Sequence, residues 1–112
     1  MQKIDKPWGH EIIWASTNNY VGKEIFIKKG HRLSKQYHRE KEETIYILDG
    51  SLTLELGEPI ESVAKLTKGT SFHLQPGTIH RMIADINDVK LCEVSTPQIA
   101  DIVRLQDDYG RT

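Results

Sequence analysis

The chain has almost no cysteine: Cys92 stands alone among 112 residues. An intramolecular disulfide framework is therefore excluded, and a reducing compartment is the expected setting. With Leu91 before it and Val94 two residues on, the thiol reads as buried and inert rather than as a nucleophile. Long apolar runs are missing too. Nothing approaches the ~20 residues needed to cross a bilayer, and the opening Met1-Gln2-Lys3-Ile4-Asp5-Lys6-Pro7-Trp8 lacks the apolar centre of a signal peptide. No membrane partner and a cytoplasmic location follow as expectations. Nor is there an excess of one charge, because 15 basic and 16 acidic residues are interspersed and leave no basic stripe for a nucleic acid backbone. Nucleic acid is not an expected partner. A convincing helical period, a linker and a low-complexity tract are also lacking. A chain of this length makes one compact unit, so residues 1–112 are read as a single domain.

What the sequence does contain is a succession of short β-type segments punctuated by Gly, Pro, Asn and Asp, at the spacing of a sandwich or barrel. Candidate strands are 11–15, 23–28, 33–38, 44–48, 51–56, 61–66, 71–74, 78–84 and 89–94. The fold class is all-β. Asp49-Gly50, between Ile45-Tyr46-Ile47-Leu48 and Leu52-Thr53-Leu54, predicts a two-residue hairpin whose central residues both take positive φ. Gly57-Glu58-Pro59 predicts a looser one. In the tail, Ile99, Ile102, Val103 and Leu105 are spaced for one or two helical turns lying on the barrel.

Four residues point at chemistry: Gln36, His38, Glu43 and His80. In a strand, residues two apart share a face, so Gln36 and His38 would converge. Glu43 adds an anionic oxygen from just beyond that strand, and His80 a second imidazole from a distant one. Such a mixed nitrogen and oxygen set suits a divalent ion. If Leu91 faces the interior, alternation turns Glu93 inward as well, as an acid/base or as a partner that orients an imidazole. The same alternation makes Lys35 a solvated rim residue and counts against Arg81 as a phosphate ligand. His73 reads as packed or outward-facing, and His10 and His31 as loop residues. Trp8 and Trp14 are expected to cover barrel ends or an interface.

Written as Gly30, Gln36, His38, Glu43 and Gly50, followed by Gly69, Gln75-Pro76-Gly77 and His80, the spacing resembles the two motifs of cupins. Glutamine in place of the usual first histidine is similar to the Gln, His, Glu, His ligand set of phosphomannose isomerases. Lys6-Pro7-Trp8-Gly9, the stretch from Gly30 to His38, Gly77-Thr78-Ile79-His80-Arg81, Glu93-Val94, and the run from Asp101 to Arg111 extend the likeness. Together they look like the isomerase domain of type II phosphomannose isomerases over most of the chain. The resemblance implies a cupin-type double-stranded β-helix, a jelly-roll barrel, here with a short C-terminal helical segment. It implies a divalent metal, zinc first, with manganese, iron, cobalt or nickel also accommodated. It further implies isomerisation of mannose 6-phosphate and fructose 6-phosphate, and a role for Arg104 on the phosphate or on developing charge. Its other reading is a surface ion pair with Asp101 or Asp107. A phosphosugar partner and a homodimer complete the expectation.

Larger members of that family also carry a guanylyltransferase domain, which these residues do not contain. Arg39-Glu40-Lys41, Thr44-Ile45, Ala84 and Asp85 depart from the family pattern at positions around the pocket. The alternative is accordingly a non-catalytic sugar-binding or regulatory cupin module. Oxygen-dependent chemistry at iron is a weaker third reading, because such cupins more often present three histidines.

Overall fold

The computed structural model describes residues 1–112. Twelve strands and no helix make up the chain. In order they are β1 (Gln2–Lys6), β2 (Gly9–Ser16), β3 (Val21–Ile27), β4 (His31–Arg32), β5 (Lys35–Tyr37) and β6 (Glu43–Asp49). There follow β7 (Ser51–Leu56), β8 (Ser62–Thr67), β9 (Ser71–Leu74), β10 (His80–Ala84), β11 (Val89–Ser95) and β12 (Val103–Gln106). One sheet runs β1-β2-β3-β11-β6-β9; the other runs β12-β5-β10-β7-β8, with β4 beside β10. All neighbours are antiparallel. No helix is long and apolar enough to cross a membrane.

The two inner faces meet because each strand alternates. Ile25 and Ile27 of β3, Ile45 and Ile47 of β6, and Val89 and Leu91 of β11 pack against Leu52 and Leu54 of β7 and Met82 and Ala84 of β10. Burying such side chains supplies the main favourable term of folding, roughly 25 cal/mol per Å² of apolar surface. At one end of the barrel the inward row changes character on four of the inner strands, β3, β6, β10 and β11. Ile27 and Ile25 give way to Lys23, Ile47 and Ile45 to Glu43, Ala84 and Met82 to His80, and Val89 and Leu91 to Glu93, all buried. Register aligns these ends: Glu93 pairs Lys23 across β11 and β3, and His80 pairs Gln36 across β10 and β5. Four strands thus deliver charge to one place.

The Asp49-Gly50 hairpin does not form. β6 and β7 lie in different sheets, and Gly50 is the corner at which the chain crosses between them. Only Gly50 takes positive φ there (83°), and a Cβ on it would sit 2.2 Å from the Asp88 carbonyl oxygen. The signal was local, whereas the pairing was decided by which sheet each apolar face could cover. The looser turn does join a hairpin, β7 with β8. Segment 33–38 is broken, with only Lys35–Tyr37 pairing as β5, and β1 was missed because its polar residues gave no apolar alternation.

The C-terminal helical segment is also corrected: residues 103–106 form β12, on the edge of the second sheet beside β5. Edge pairing with Lys35, Gln36 and Tyr37 won over a weak helical spacing. Beyond it the tail is fastened by charge. Arg32 donates to both Asp108 oxygens at 2.7 and 2.9 Å, and buried Arg81 donates to the same carboxylate at 3.0 Å. Arg81 is thereby spent on the tail.

Arg111 donates to Asp107 from its backbone N, Nε and Nη2 at 2.7, 3.0 and 2.8 Å. These bonds hold the Asp107 carboxyl at about 2, below its ordinary 3.8. A depressed folded-state pKa stabilises fully above the unfolded value and is lost as pH falls through the folded one. Asp107→Asn is therefore expected to lower the melting temperature at neutral pH, with the gap to wild type closing between about pH 4 and pH 2. A gap that stays constant across that window in melting curves rules this linkage out.

Candidate metal centre

Three ligand atoms converge at the polar end of the barrel. His38 Nε2 and His80 Nε2 lie 3.4 and 3.3 Å from Glu43 Oε1, and one ligand atom from each residue falls within 4.8 Å of the others. All three side chains are buried. Glu43 opens β6, His80 opens β10, and His38 follows β5, so a rigid strand end positions each one. The ring orientations are fixed from behind: His38 Nδ1 donates to the Asp101 carbonyl oxygen and His80 Nδ1 to that of Thr78 (2.9 Å). With the Nδ1 protons held there, both Nε2 lone pairs face the centre.

The ligand atoms themselves call for a positive charge. His38 Nε2, His80 Nε2 and both Glu43 carboxylate oxygens are buried without a hydrogen-bond partner. Buried polar groups are rarely left so, and acceptors facing acceptors repel unless a positive charge sits between them. Two imidazoles and a carboxylate form a donor set for a borderline divalent ion, and the residues present fit one. Burial works against charging His38, but Glu43 beside it more than offsets this and raises its pKa. Burial likewise works against ionised Glu43; the two imidazoles and Lys41 outweigh it and keep the carboxylate charged.

Gln36, two residues before His38, lines a cavity that His38 also lines, and its amide oxygen accepts the Ser34 hydroxyl at 2.7 Å. One lone pair of that oxygen remains. Glu93 is buried at the predicted inward position. Lys41 Nζ lies 3.2 Å from Oε2 of both Glu43 and Glu93, hydrogen-bonded to Glu93 and ion-paired with Glu43. Burial, then the Glu43 charge, pushes the Glu93 carboxyl up. The sequence placed Lys41 near the pocket only as part of Arg39-Glu40-Lys41, a departure from the family pattern, and assigned it no role, because a charged run carries no sign of which member is buried.

The cavity above these groups measures about 180 Å³. Lys6, Lys23, Arg104 and Arg111 line it, against Glu11 and Glu93. Lys23 and Glu11 are ion-paired at 3.5 Å. Arg104 Nη1 donates to the Thr112 carbonyl oxygen, while its Nε is buried and unpartnered. Neither Asp101 nor Asp107 takes Arg104 as a hydrogen-bonded partner; they hold the 39–41 loop and Arg111 instead.

Several other expectations change. Lys35 is buried and bonded to Glu58 at 2.9 Å, not solvated. His10 and His31 sit in strands, and His31 Nδ1 meets the Tyr109 hydroxyl at 2.9 Å. His73 is exposed beside Glu42, facing outward. Trp8 is in the core, whereas Trp14 lies on the outer sheet surface over Gly22. Cys92 is half-buried on that surface, with burial raising its thiol pKa, so the group is inert as expected although not enclosed.

A closed pair of antiparallel sheets with a buried two-histidine, one-carboxylate cluster at one end defines the class as a jelly-roll barrel with a candidate metal site. Residues 24–92 match the family described as Cupin domain, and the chain belongs to that family. It is 30% identical over 115 residues to the xanthan biosynthesis protein XanB of Xanthomonas campestris pv. campestris, covering 99% of this chain and 24% of that protein. It is 27% identical to the mannose-1-phosphate guanylyltransferase RfbM of Salmonella typhimurium, over 97% of this chain and 23% of that protein. The chain thus spans about a quarter of the length of these curated relatives. Among solved structures, KdgF from Halomonas sp. superimposes with a TM-score of 0.77 at 19% identity, covering 88% of this chain and 87% of that one. That likeness is one of fold.

Proposed function

We propose that this chain is a metal-dependent aldose-ketose isomerase acting on phosphorylated hexoses, with mannose 6-phosphate and fructose 6-phosphate the first pair to test. The observation that carries the proposal is the buried carboxylate of Glu93 beside a cluster of unpartnered ligand atoms, under a cavity rich in cations. His38, Glu43, His80 and the second lone pair of Gln36 would hold the ion, zinc first. A divalent ion bound there supplies Lewis-acid polarisation of sugar oxygens. The remaining work belongs to the chain. Glu93 takes the C2 proton of the aldose to give an enediol and returns a proton to C1, while a proton moves from O2 to O1, so composition is unchanged. Lys41 holds Glu93 in place, and Arg104 meets the phosphate with its free Nε. The similarity to proteins named for mannose-1-phosphate chemistry and for xanthan biosynthesis supports a sugar phosphate as substrate.

The test is to strip the protein of metal, reload it with zinc, manganese, cobalt, nickel or iron, and follow ketose formation from a panel of hexose phosphates. Turnover of at least one member is expected. Normal metal uptake with sugar-induced thermal stabilisation and no turnover would instead establish a non-catalytic sugar-binding module. The proposal includes a homodimer paired through the outer face of the first sheet, where Trp14, Tyr46 and Val94 are exposed. A monomer by analytical ultracentrifugation at micromolar concentration removes that part.

A further inference from the structure

One residue outside the cavity grips the scaffolding of the centre through both its side chain and its main chain. Asp101 lies in segment 96–102, between β11 and β12. Its carboxylate accepts three consecutive backbone N–H groups, from Arg39 (3.0 Å), Glu40 (2.7 Å) and Lys41 (2.9 Å). Its own carbonyl oxygen accepts the Nδ1 proton of His38. Side chain and main chain of a single residue therefore grip both ends of the turn from His38 to Lys41. At one end the grip sets which nitrogen of His38 faces the centre. At the other it sets the backbone from which Lys41 reaches Glu43 and Glu93, at 3.2 Å each.

We propose that Asp101 is the positioning residue through which the C-terminal segment assembles the metal centre, clamping the 38–41 turn so that His38 and Lys41 meet Glu43. The proposal rests on the metal site of the preceding subsection. The three N–H groups are consecutive, and consecutive amides can converge on one carboxylate only in a tightly curved backbone. That curvature carries the chain from β5 to Glu43 in six residues while turning His38 inward. Without the carboxylate, the turn has no other acceptor for those amides but water. The carbonyl of residue 101 would then lose its registration on His38, and the imidazole would be free to rotate. Groups that orient a ligating histidine in this way contribute about 10- to 100-fold to metal affinity. Asp108, by contrast, fastens the same tail through Arg32 and Arg81 without touching the turn, so it separates local clamping from general loosening.

The experiment uses the full chain, stripped with chelator and titrated with zinc alone against a chromophoric competitor, with cobalt absorption as a report on ligand geometry. Asp101→Ala is expected to weaken zinc binding about 10- to 100-fold and to alter the cobalt spectrum. Asp101→Asn keeps one acceptor oxygen and should recover part of the affinity. Asp108→Asn should lower the melting temperature with zinc affinity unchanged. Zinc binding at wild-type strength in Asp101→Ala overturns the proposal, as does an equal weakening in Asp108→Asn. Should the alanine variant fail to fold, wild-type affinity in Asp101→Asn overturns it as well. His80→Ala tells the two levels apart: zinc retained there sinks the metal site itself, whereas zinc lost there but kept in Asp101→Ala sinks only the clamp.

Discussion

Replacing His80 with alanine is expected to abolish stoichiometric metal binding and, with it, isomerase turnover. The imidazole is buried, opens β10, and has its Nδ1 bonded to the Thr78 carbonyl oxygen, so its Nε2 is fixed on the centre and an alanine methyl offers no donor in its place. Removing it leaves one imidazole, one carboxylate and the neutral Gln36 amide oxygen, a set that a chelator at modest concentration outcompetes. The effect has a second readout that needs no substrate. A ligand that binds only the folded state stabilises it by about 2.7 kcal/mol at 100 times its Kd, on the order of 10 °C in melting temperature for a domain of this size. Zinc should raise the wild-type melting temperature by that order and leave His80→Ala where it was. The metal-free variant should melt close to metal-free wild type, because the deletion removes one of several buried ligand atoms that have no hydrogen-bond partner. Unchanged metal content by elemental analysis would take His80 out of the site.

Why this constellation was legible in the sequence, and its surroundings were not, follows from the range of the forces involved. Gln36 and His38 share a face because strand geometry repeats every two residues, and Glu93 turns inward for the same reason once Leu91 does. These are consequences of the chain's own pleat. The convergence of His80 with them needs the register between β10 and β5, a long-range pairing that the family-like spacing reported where local pattern could not. Asp49-Gly50 shows the opposite case. Its local turn signal is strong, yet β6 and β7 separate because each buries its apolar row in a different sheet. Lys41, Lys35 and Asp101 failed for a third reason. Each is a charged residue whose burial or hydrogen bonds are created by chain more than 20 residues away: Glu93 for Lys41, Glu58 for Lys35, and the 39–41 amides for Asp101. Local periodicity carries no sign of such partners.

Glu93→Gln is expected to lower kcat by about 10²- to 10⁴-fold, the usual weight of a positioned acid/base, while metal content and melting temperature stay near wild type. The second half of that expectation follows from the charges around it. Lys41 bridges Glu43 and Glu93, so the buried group holds two carboxylates and one ammonium. Exchanging Glu93 for the isosteric amide leaves Lys41 and Glu43 as a balanced pair, with the amide oxygen still placed to accept from Lys41. Removing Lys41 is the harsher change, because it sets two buried carboxylates against each other; breaking a buried pair in this way costs about 3–5 kcal/mol. Lys41→Met should accordingly lose both stability and activity, and only Glu93→Gln separates chemistry from scaffolding. The separation also has a kinetic form. If Glu93 carries the proton, kcat falls and KM holds, since an amide occupies the same volume and the phosphate contact at Arg104 is untouched. A Glu93→Gln protein with its metal bound and full turnover would assign the proton transfer to another group on the cavity wall, and Lys41, within reach of the same site, becomes the next residue to replace.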